Sequence, residues 1–301
     1  MTEISQPCSG HKRSSATLLL HRAEALRQWM VANKAASLGA IVLIIILLAV
    51  ICAPLLTSHD PEQQNLAVAL RSPSAEHWFG TDELGRDIFS RILYGGRVTL
   101  LIGASATAIA LLIGVSMGLL SGYFGGWFDL VIQRITDTLL AMAGGGLLAI
   151  ALVATLGVEL RNVIIASAAA VVPQFVRLSR GLALSLKSEM YIEAAIASGV
   201  GHLAIIRTHI LRNCVSAIVV FAMLNIGVVV LIAAGLGFLG LGVQDPMPEW
   251  GTMLGAARGT FMSYPHTVTI PGLFILLTIF AFNLVGDGLR DFLDPRLRGM
   301  A

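Results

Sequence analysis

The sequence predicts an all-α polytopic membrane protein with six transmembrane helices. Charged residues make up only 13% of the 301 residues, whereas soluble domains carry about 25%. Hydrophobic residues make up 56%, a share that excludes an intrinsically disordered chain. The formal net charge of +2 gives no basic surface of the kind that binds nucleic acid, so we expect membrane lipid, and no nucleic acid, as a partner.

The first predicted span covers residues 38–56, a run of 19 residues without a charged side chain. Such a helix is about 28 Å long and crosses a hydrocarbon core of about 30 Å. The preceding residues 1–37 are polar and hold five Lys and Arg residues, so we predict a cytoplasmic N-terminal tail. A signal peptide would have a shorter polar leader and a cleavage site after the apolar run, so the first helix should remain as an anchor.

Five further apolar stretches predict the other spans, at residues 98–122, 139–157, 163–176, 217–240 and 267–285. The fourth span, 163–176, is short and contains Pro173, which a membrane helix tolerates when neighbours satisfy the freed carbonyl. The remaining chain then divides into an extracytoplasmic segment 57–97, a five-helix core 98–290 with a long cytoplasmic segment 177–213, and a cytoplasmic C-terminal tail 291–301.

Lysine and arginine counts predict that both termini are cytoplasmic. With the N-terminus inside, fourteen of the 20 Lys and Arg residues fall on the inner side and six on the outer side, as the positive-inside rule requires. Four of the outer residues belong to the single segment 57–97 and weaken this bias: Arg71, Arg86, Arg91 and Arg97.

The sequence lacks the motifs by which such a chain would catalyse a reaction. No lysine follows a glycine as in a nucleotide-binding P-loop, and no H-E-x-x-H or G-x-S-x-G motif occurs. Gly235 to Gly240 match G-x-G-x-x-G, but they close an apolar span and do not join a strand to a helix. His202 and His209 are seven residues apart, which favours surface roles over metal ligation. We therefore expect no enzyme activity, metal or cofactor on this chain.

Three small or polar patterns lie within the spans. Gly114, Gly118 and Gly122 are four residues apart and predict a face that another helix approaches closely. Asn225 and Asn283 must find partners inside the membrane, either through an interhelical hydrogen bond or by lining the substrate path. Arg134 and Asp137 lie near a cytoplasmic helix end, where we expect them to pair with each other.

The long cytoplasmic segment is the most informative part of the sequence. Strong helix formers over 182–197 predict a helix that ends at Ser198-Gly199. A second short helix should follow, with Leu203, Ile206 and Ile210 on one face. The two helices would form a compact knob whose small Ala194 and Ala195 let another protein approach the backbone, while Glu193 supplies a charge for orientation.

This knob carries a resemblance to a known family. Glu193-Ala194-Ala195, with Gly199 six residues after the glutamate and Ile210-Leu211 eleven and twelve after the glycine, resembles the coupling motif of ABC-importer permease subunits. Further segments resemble the C-type permease of dipeptide, oligopeptide and nickel import systems: 79–91, 237–243 with 248–251, and 282–291 with 294–297. Arg212 stands where family members usually have proline, which should let the second short helix continue toward the fifth span.

The resemblance implies the type I ABC importer permease fold and a heteromeric importer. Its partners would be a homologous second permease, two ATPase subunits that bind ATP and Mg²⁺, and an extracytoplasmic substrate-binding protein. The loop with Glu193, Ala194, Ala195 and Gly199 would dock on an ATPase subunit. The implied function is import of di- or oligopeptides across the cell inner membrane, with nickel or metallophores, glutathione and opines as alternative substrates.

Two other classes of protein are alternatives. A self-contained secondary transporter would carry charged residues within its spans to bind coupling ions, and these spans are nearly free of them. A membrane-embedded enzyme would need the catalytic motifs that the sequence lacks.

Overall fold

The computed structural model describes residues 33–142 and 146–293. Most of the predicted N-terminal tail 1–37 and the predicted tail 291–301 from residue 294 onward lie outside the described residues, as does the motif 294–297. The described chain forms eleven α-helices: α1 Lys34–Ile51, α2 Ala53–Leu56, α3 Ile88–Phe124, α4 Gly126–Ala141, α5 Gly146–Leu156, α6 Leu160–Lys187, α7 Met190–Ala197, α8 His202–Ile205, α9 Leu211–Phe238, α10 Trp250–Ala256 and α11 His266–Leu293. One π-helical turn, Ile206–Ile210, joins α8 to α9, and 3₁₀ turns lie at Leu66–Val68 and Ala257–Gly259.

Five helices are long and apolar enough to cross a membrane: α1, α3, α6, the continuous helix His202–Phe238, and α11. A sixth span forms if α4 and α5, which meet at an angle of 89°, are counted as one. Within residues 33–142 and 146–293 no β-strand occurs, and Thr81 and Asp87 form an isolated bridge. The prediction of an all-α polytopic membrane protein is therefore confirmed.

The third predicted span differs most from the structure. The sequence predicts one helix over 139–157, whereas α4 ends at Ala141 and α5 covers only Gly146–Leu156. Eleven residues of helix are about 16 Å long, too short to cross a bilayer alone. The apolar run 139–157 is therefore divided between two helices that meet at a bend. Its first residues belong to α4, which is amphipathic and more polar than α5.

Two other spans are longer than predicted because their charged ends have partners. Helix α3 begins at Ile88, ten residues before the predicted start, and Asp87 caps it by accepting a hydrogen bond from Ser90 N at 2.8 Å. Helix α6 continues to Lys187, past the predicted end at 176, with Pro173 buried in its interior.

Asp137 of α4 accepts a hydrogen bond from Arg177 Nη2 at 2.7 Å, so it pairs with α6 and not with Arg134 as predicted.

Close packing of α3 against α6 confirms the predicted glycine face. A Cβ added at Gly122 would lie 2.8 Å from both Ala183 Cβ and Arg180 O, and Gly114 and Gly118 are equally close to the α6 backbone. The two helices therefore meet backbone to backbone, as small residues allow in membranes. This contact belongs to the larger of two apolar clusters, which also includes the buried side chains of α8 and α9.

The smaller apolar cluster lies where α1, α9, α10, α11 and the N-terminal half of α3 meet. Its centre is Trp250, which is fully buried and donates a hydrogen bond from Nε1 to Ile92 O at 2.9 Å. Arg97 donates hydrogen bonds to Val50 O and Ile51 O, both at 2.9 Å, and so satisfies carbonyls at the end of α1. These hydrogen bonds join the C-terminal end of α1 to α3.

Candidate functional site

The predicted knob is present, but its first helix is divided. The sequence predicts one helix over 182–197, whereas α6 ends at Lys187 and α7 begins at Met190. Ser188 lies between them, and its hydroxyl donates a hydrogen bond to Ser185 O at 2.9 Å. A serine that bonds the backbone nearby competes with helix propagation, which accounts for the break.

Helix α7 ends where the sequence predicts. Gly199 has a φ of +77°, and its amide donates to Ile196 O at 3.0 Å. The amide of Val200 donates to Ala195 O at 3.1 Å. This pair of hydrogen bonds is the Schellman motif, for which a glycine in the left-handed region is the usual residue. The end of α7 is therefore a defined turn with its last carbonyls satisfied.

Four isoleucines attach the knob to the core of the bundle. Ile192 of α7 and Ile205, Ile206 and Ile210 of the following turns are buried in the larger apolar cluster. Leu203 is 70% exposed and does not share this face, so the predicted grouping of Leu203 with Ile206 and Ile210 is wrong for Leu203. It lies in the first turn of α8, on the outward side. The helix then continues without interruption into α9, as expected from Arg212 at the usual proline position.

Tyr123, near the end of α3, holds both ends of the knob. Its backbone carbonyl accepts a hydrogen bond from Lys187 Nζ at 2.7 Å, and its hydroxyl lies 2.8 Å from His202 Nδ1. The Tyr123 and His202 rings are also in contact, with centroids 5.7 Å apart. On the far side, Asn213 Nδ2 donates to the Tyr191 hydroxyl at 3.2 Å. The knob is thus bound to α3, α6 and α9 together.

The outward face of α7 is small, apolar and carries one acid. Glu193 and Ala194 are exposed, while Ala195 is half-buried against the apolar cluster. Met190 is 84% exposed and Ile196 is 42% exposed. A low surface with exposed apolar side chains and one carboxylate has the composition of a protein-docking surface.

The two predicted membrane asparagines lie in different environments. Asn225 is buried in α9, and its Nδ2 donates to Phe221 O of the same helix at 2.8 Å. Its Oδ1 has no hydrogen-bond partner among residues 33–142 and 146–293. Asn283 of α11 is exposed on the surface of the chain. Neither side chain makes an interhelical hydrogen bond within the described chain, so that alternative is not supported.

An ion-pair cluster on the opposite end of the bundle from α7 includes two arginines of the segment 57–97, which the sequence predicts to be extracytoplasmic. Arg86 donates from Nε to Asp82 Oδ2 at 2.6 Å and from Nη1 to Asp245 Oδ1 at 2.8 Å. Arg91 Nη2 lies 3.5 Å from the same Asp245 oxygen. Burial alone would lower the pKa of Arg86, but Asp82 and Asp245 outweigh it and raise the pKa. The cluster joins the segment before α3 to the segment before α10.

Sequence reasoning missed this cluster because its members are far apart in the chain. Asp245 is 159 residues from Arg86. The signal available in the sequence was the excess of arginine in segment 57–97, which the positive-inside count registered only as a weakening of the bias. These arginines are structural, since both are buried beside acids.

Comparison with known proteins agrees with this architecture. Residues 97–299 match the family described as the binding-protein-dependent transport system inner membrane component, and residues 24–73 match the N-terminal transmembrane domain of oligopeptide transport permease C. The chain therefore belongs to the family of binding-protein-dependent permeases and is a multi-pass membrane protein of ABC importers. Membership in this family implies an ATPase and a substrate-binding partner.

Individual relatives extend the match over most of the chain. A dipeptide transport system permease of Alkalihalophilus pseudofirmus is 50% identical over 266 residues, which are 88% of this chain and 87% of the relative. A glutathione transport system permease of Pectobacterium atrosepticum is 51% identical over 75% of each chain. A protein named as a probable D,D-dipeptide transport system permease of Escherichia coli is 44% identical over 87% of each chain.

Proposed function

We propose that this chain is the transmembrane subunit through which separate ATPase subunits drive the import of short peptides. The observation that carries this proposal is the knob at α7. One face of the knob is exposed to solvent, and the other face is attached to three long helices. A docking surface that was loosely attached could bind a partner but could not transmit its movement. Here Ile192, Tyr123 and Asn213 link the docking surface directly to the spans.

In this mechanism the ATPase pair moves α7 as a rigid unit. Closure of the ATPases on ATP and Mg²⁺ displaces Glu193, Ala194, Ala195 and Gly199, with no hydrolysis on this chain. Because Tyr123 binds both ends of the knob, the displacement reaches α3 and α6, whose glycine interface moves them as one body. The spans then alternate between inward-open and outward-open states by rigid-body rocking.

The complete importer in this proposal is a heterodimer of this chain with a homologous permease, two ATPases and a binding protein. In this proposal the α7 end faces the cytoplasm, where the ATPases bind, both termini are cytoplasmic, and the Arg86 and Arg91 cluster lies on the outer side. The exposed Asn283 then faces the second permease or the substrate path. Asn225 Oδ1, an acceptor without a partner in the described part of the chain, would lie beside that path.

Short peptides are the proposed substrate class because the relatives that match most of the chain are named for dipeptides, D,D-dipeptides and glutathione. All three are small peptides or peptide-like solutes. Nickel complexes and opines are the alternatives within the same type of importer. Uptake assays with the binding protein present distinguish these substrates, since the binding protein supplies most of the selectivity in this mechanism.

The test is the ratio of substrate uptake to ATP hydrolysis in proteoliposomes that contain the complete importer. Replacing Glu193→Gln together with Gly199→Ala should lower uptake of a labelled dipeptide about tenfold, equivalent to about 1.4 kcal/mol of lost coupling, while ATP hydrolysis continues. Glu159→Gln is the matched control, because this exposed acid lies at the other end of α6. Normal uptake by the double variant would contradict the proposal.

A further inference from the structure

The outer segment contains a cluster of two histidines and an aspartate that the transport function does not use. His59, His77 and Asp87 each offer one ligand atom, and these three atoms lie within 4.8 Å of one another. His77 and Asp87 are buried, and His59 is half-buried. His77 Nδ1 lies 2.9 Å from Asp87 Oδ1, and the His59 and His77 rings are 5.0 Å apart.

We propose that His59, His77 and Asp87 bind a divalent transition-metal ion of the zinc class. Two imidazoles and one carboxylate form a ligand set that suits Zn²⁺ and leaves a fourth position for water. The metal would displace the proton of the hydrogen bond between His77 Nδ1 and Asp87 Oδ1, and this proton would be released to solvent. Hard ions such as Mg²⁺ prefer oxygen ligands and would bind this set poorly.

The distances require only a small adjustment. Ligand atoms in a tetrahedral zinc site with bonds of about 2.0–2.2 Å lie about 3.3–3.6 Å apart. The His77 and Asp87 atoms, now 2.9 Å apart, must separate by about 0.4–0.7 Å. The His59 ligand atom, within 4.8 Å of both, must move closer by at most about 1.5 Å. His59 lines a cavity of 290 Å³, together with Asp87 and Glu76, which gives its ring room to turn and gives water access to the open position.

The surrounding hydrogen bonds hold two of the ligands in place. Asp87 Oδ2 accepts hydrogen bonds from Ser90 N and Ser90 Oγ, both at 2.8 Å, which leaves Oδ1 for the metal. The backbone of His77 is fixed by a turn in which Ser74 N donates to His77 O at 2.8 Å and His77 N donates to Ser74 Oγ at 3.1 Å. Such supporting contacts orient metal ligands before the ion binds.

A metal at this position would join three separate parts of the outer segment. His59 follows the end of α2, His77 belongs to the turn before residue 80, and Asp87 is the N-cap of α3. The inference does not depend on peptide transport, because any importer of this architecture could use such a cross-link. Its expected consequence is a more stable outer segment when zinc is bound, because an ion that binds only the folded chain stabilises it.

The test uses the complete permease, purified in detergent with a tag that contains no histidine. Addition of ZnCl₂ after EDTA treatment should raise the unfolding temperature of the wild-type protein, and calorimetry should give one zinc site per chain. Co²⁺ bound from CoCl₂ should show a visible d–d absorption band of the ion coordinated by the two imidazoles and the carboxylate. His59→Gln should weaken zinc binding more than about tenfold, and it removes no side-chain hydrogen bond among residues 33–142 and 146–293.

His77→Gln is a second variant, and it should weaken zinc binding to the same extent. His209→Gln is the matched control, because His209 lies in the π-helical turn Ile206–Ile210, far from the outer segment in the chain. Its zinc affinity should equal that of the wild type. Absence of zinc binding by the wild type, or equal affinity in His59→Gln and the wild type, would overturn the proposal.

Discussion

Gly199 shows how one residue defines the end of helix α7. Its φ of +77° lies in the left-handed region, and nothing lies within 4 Å of the position of a Cβ, so conformation and not space selects glycine here. A side chain in this region costs about 1–2 kcal/mol. Gly201 offers a matched comparison, because it also has open space around it but a φ of −63°.

We therefore predict that Gly199→Ala loosens the end of α7 and that Gly201→Ala does not. Loss of about 1–2 kcal/mol corresponds to an about 5- to 30-fold larger population of the state in which the local hydrogen bonds are open. Hydrogen–deuterium exchange of the peptide that contains the amides of Gly199 and Val200 measures this opening. Equal exchange in the two variants would show that the Schellman turn does not hold the helix end.

Glu249 is a buried acid that caps the N-terminus of α10. Its carboxylate is 1% exposed and accepts hydrogen bonds from Gly251 N and Thr252 N, both at 2.9 Å, at the start of α10. Thr99 of α3 donates a third hydrogen bond at 3.2 Å. Burial raises the pKa of Glu249 despite these three donors.

The raised pKa predicts a pH dependence with a definite sign. The folded chain binds this proton more tightly than the unfolded chain does, so the contribution of Glu249 to stability is greatest at low pH. It falls as pH rises from about 4.3, the ordinary pKa of glutamate, through the higher folded pKa. In Glu249→Gln that fall should be absent, although the variant loses an acceptor and is less stable throughout. The measurement is the difference in unfolding temperature between the wild type and Glu249→Gln at each pH in this range. A difference that does not change with pH would contradict the prediction.

At the scale of single residues, the sequence predicted the residues of the proposed docking site but not those of the proposed metal-binding cluster. The residues of the proposed docking site lie close together in the chain: Glu193, Ala194, Ala195 and Gly199. A glycine after a helical run marks the end of the helix because of its backbone conformation alone. His59, His77 and Asp87 are spread over 29 residues without a spacing that any metal motif has. Only the turn at 74–80 and the N-cap of α3 bring them together.

The predicted glycine face of α3 packs closely against α6. We predict that Gly118→Ala separates these helices and destabilises the permease by about 1–3 kcal/mol, as overpacking does in other well-packed cores. An added Cβ would lie 2.8 Å from Ser179 Cβ and still closer to Val176 O, a backbone atom that cannot move aside.

Gly181→Ala is the matched control for this interface. Gly181 is also helical, in α6, but nothing lies within 4 Å of an added Cβ, so alanine should be neutral or slightly stabilising through its helix propensity. Unfolding temperature in detergent compares the two variants. Equal stability of Gly118→Ala and Gly181→Ala would show that the helices are not in close contact.

At the scale of helices, hydropathy predicted where spans occur better than where they begin or bend. The start of α3 at Ile88 was missed because Arg91 and Arg97 interrupt the apolar run, and their acid and carbonyl partners lie far away in the chain. The bend between α4 and α5 was missed because composition alone does not distinguish a straight apolar run from one that turns. Long-range pairing determines where α3 begins, and tertiary context determines the bend between α4 and α5.

The whole molecule has two ends of different character, and its proposed orientation can be tested. The end that carries α7 should face the cytoplasm, and the segment that carries Glu76 should face outward. In a chain whose native cysteines are replaced, a membrane-impermeant thiol reagent added outside intact cells should label Glu76→Cys and not Ala194→Cys. Both positions are exposed, so access to the reagent depends on the side of the membrane. The reverse labelling pattern would contradict the orientation.

The central claim is that the exposed face of α7 docks on an ATPase subunit. Photo-cross-linking from a single probe attached at Ala194→Cys, in the assembled importer within native membranes, tests this claim most directly. Thr155→Cys, exposed at the end of α5, is the control position. The account predicts a cross-link to the ATPase from position 194 and none from position 155. A cross-link to the ATPase from position 155, or none from position 194 in an importer that still transports, would contradict it.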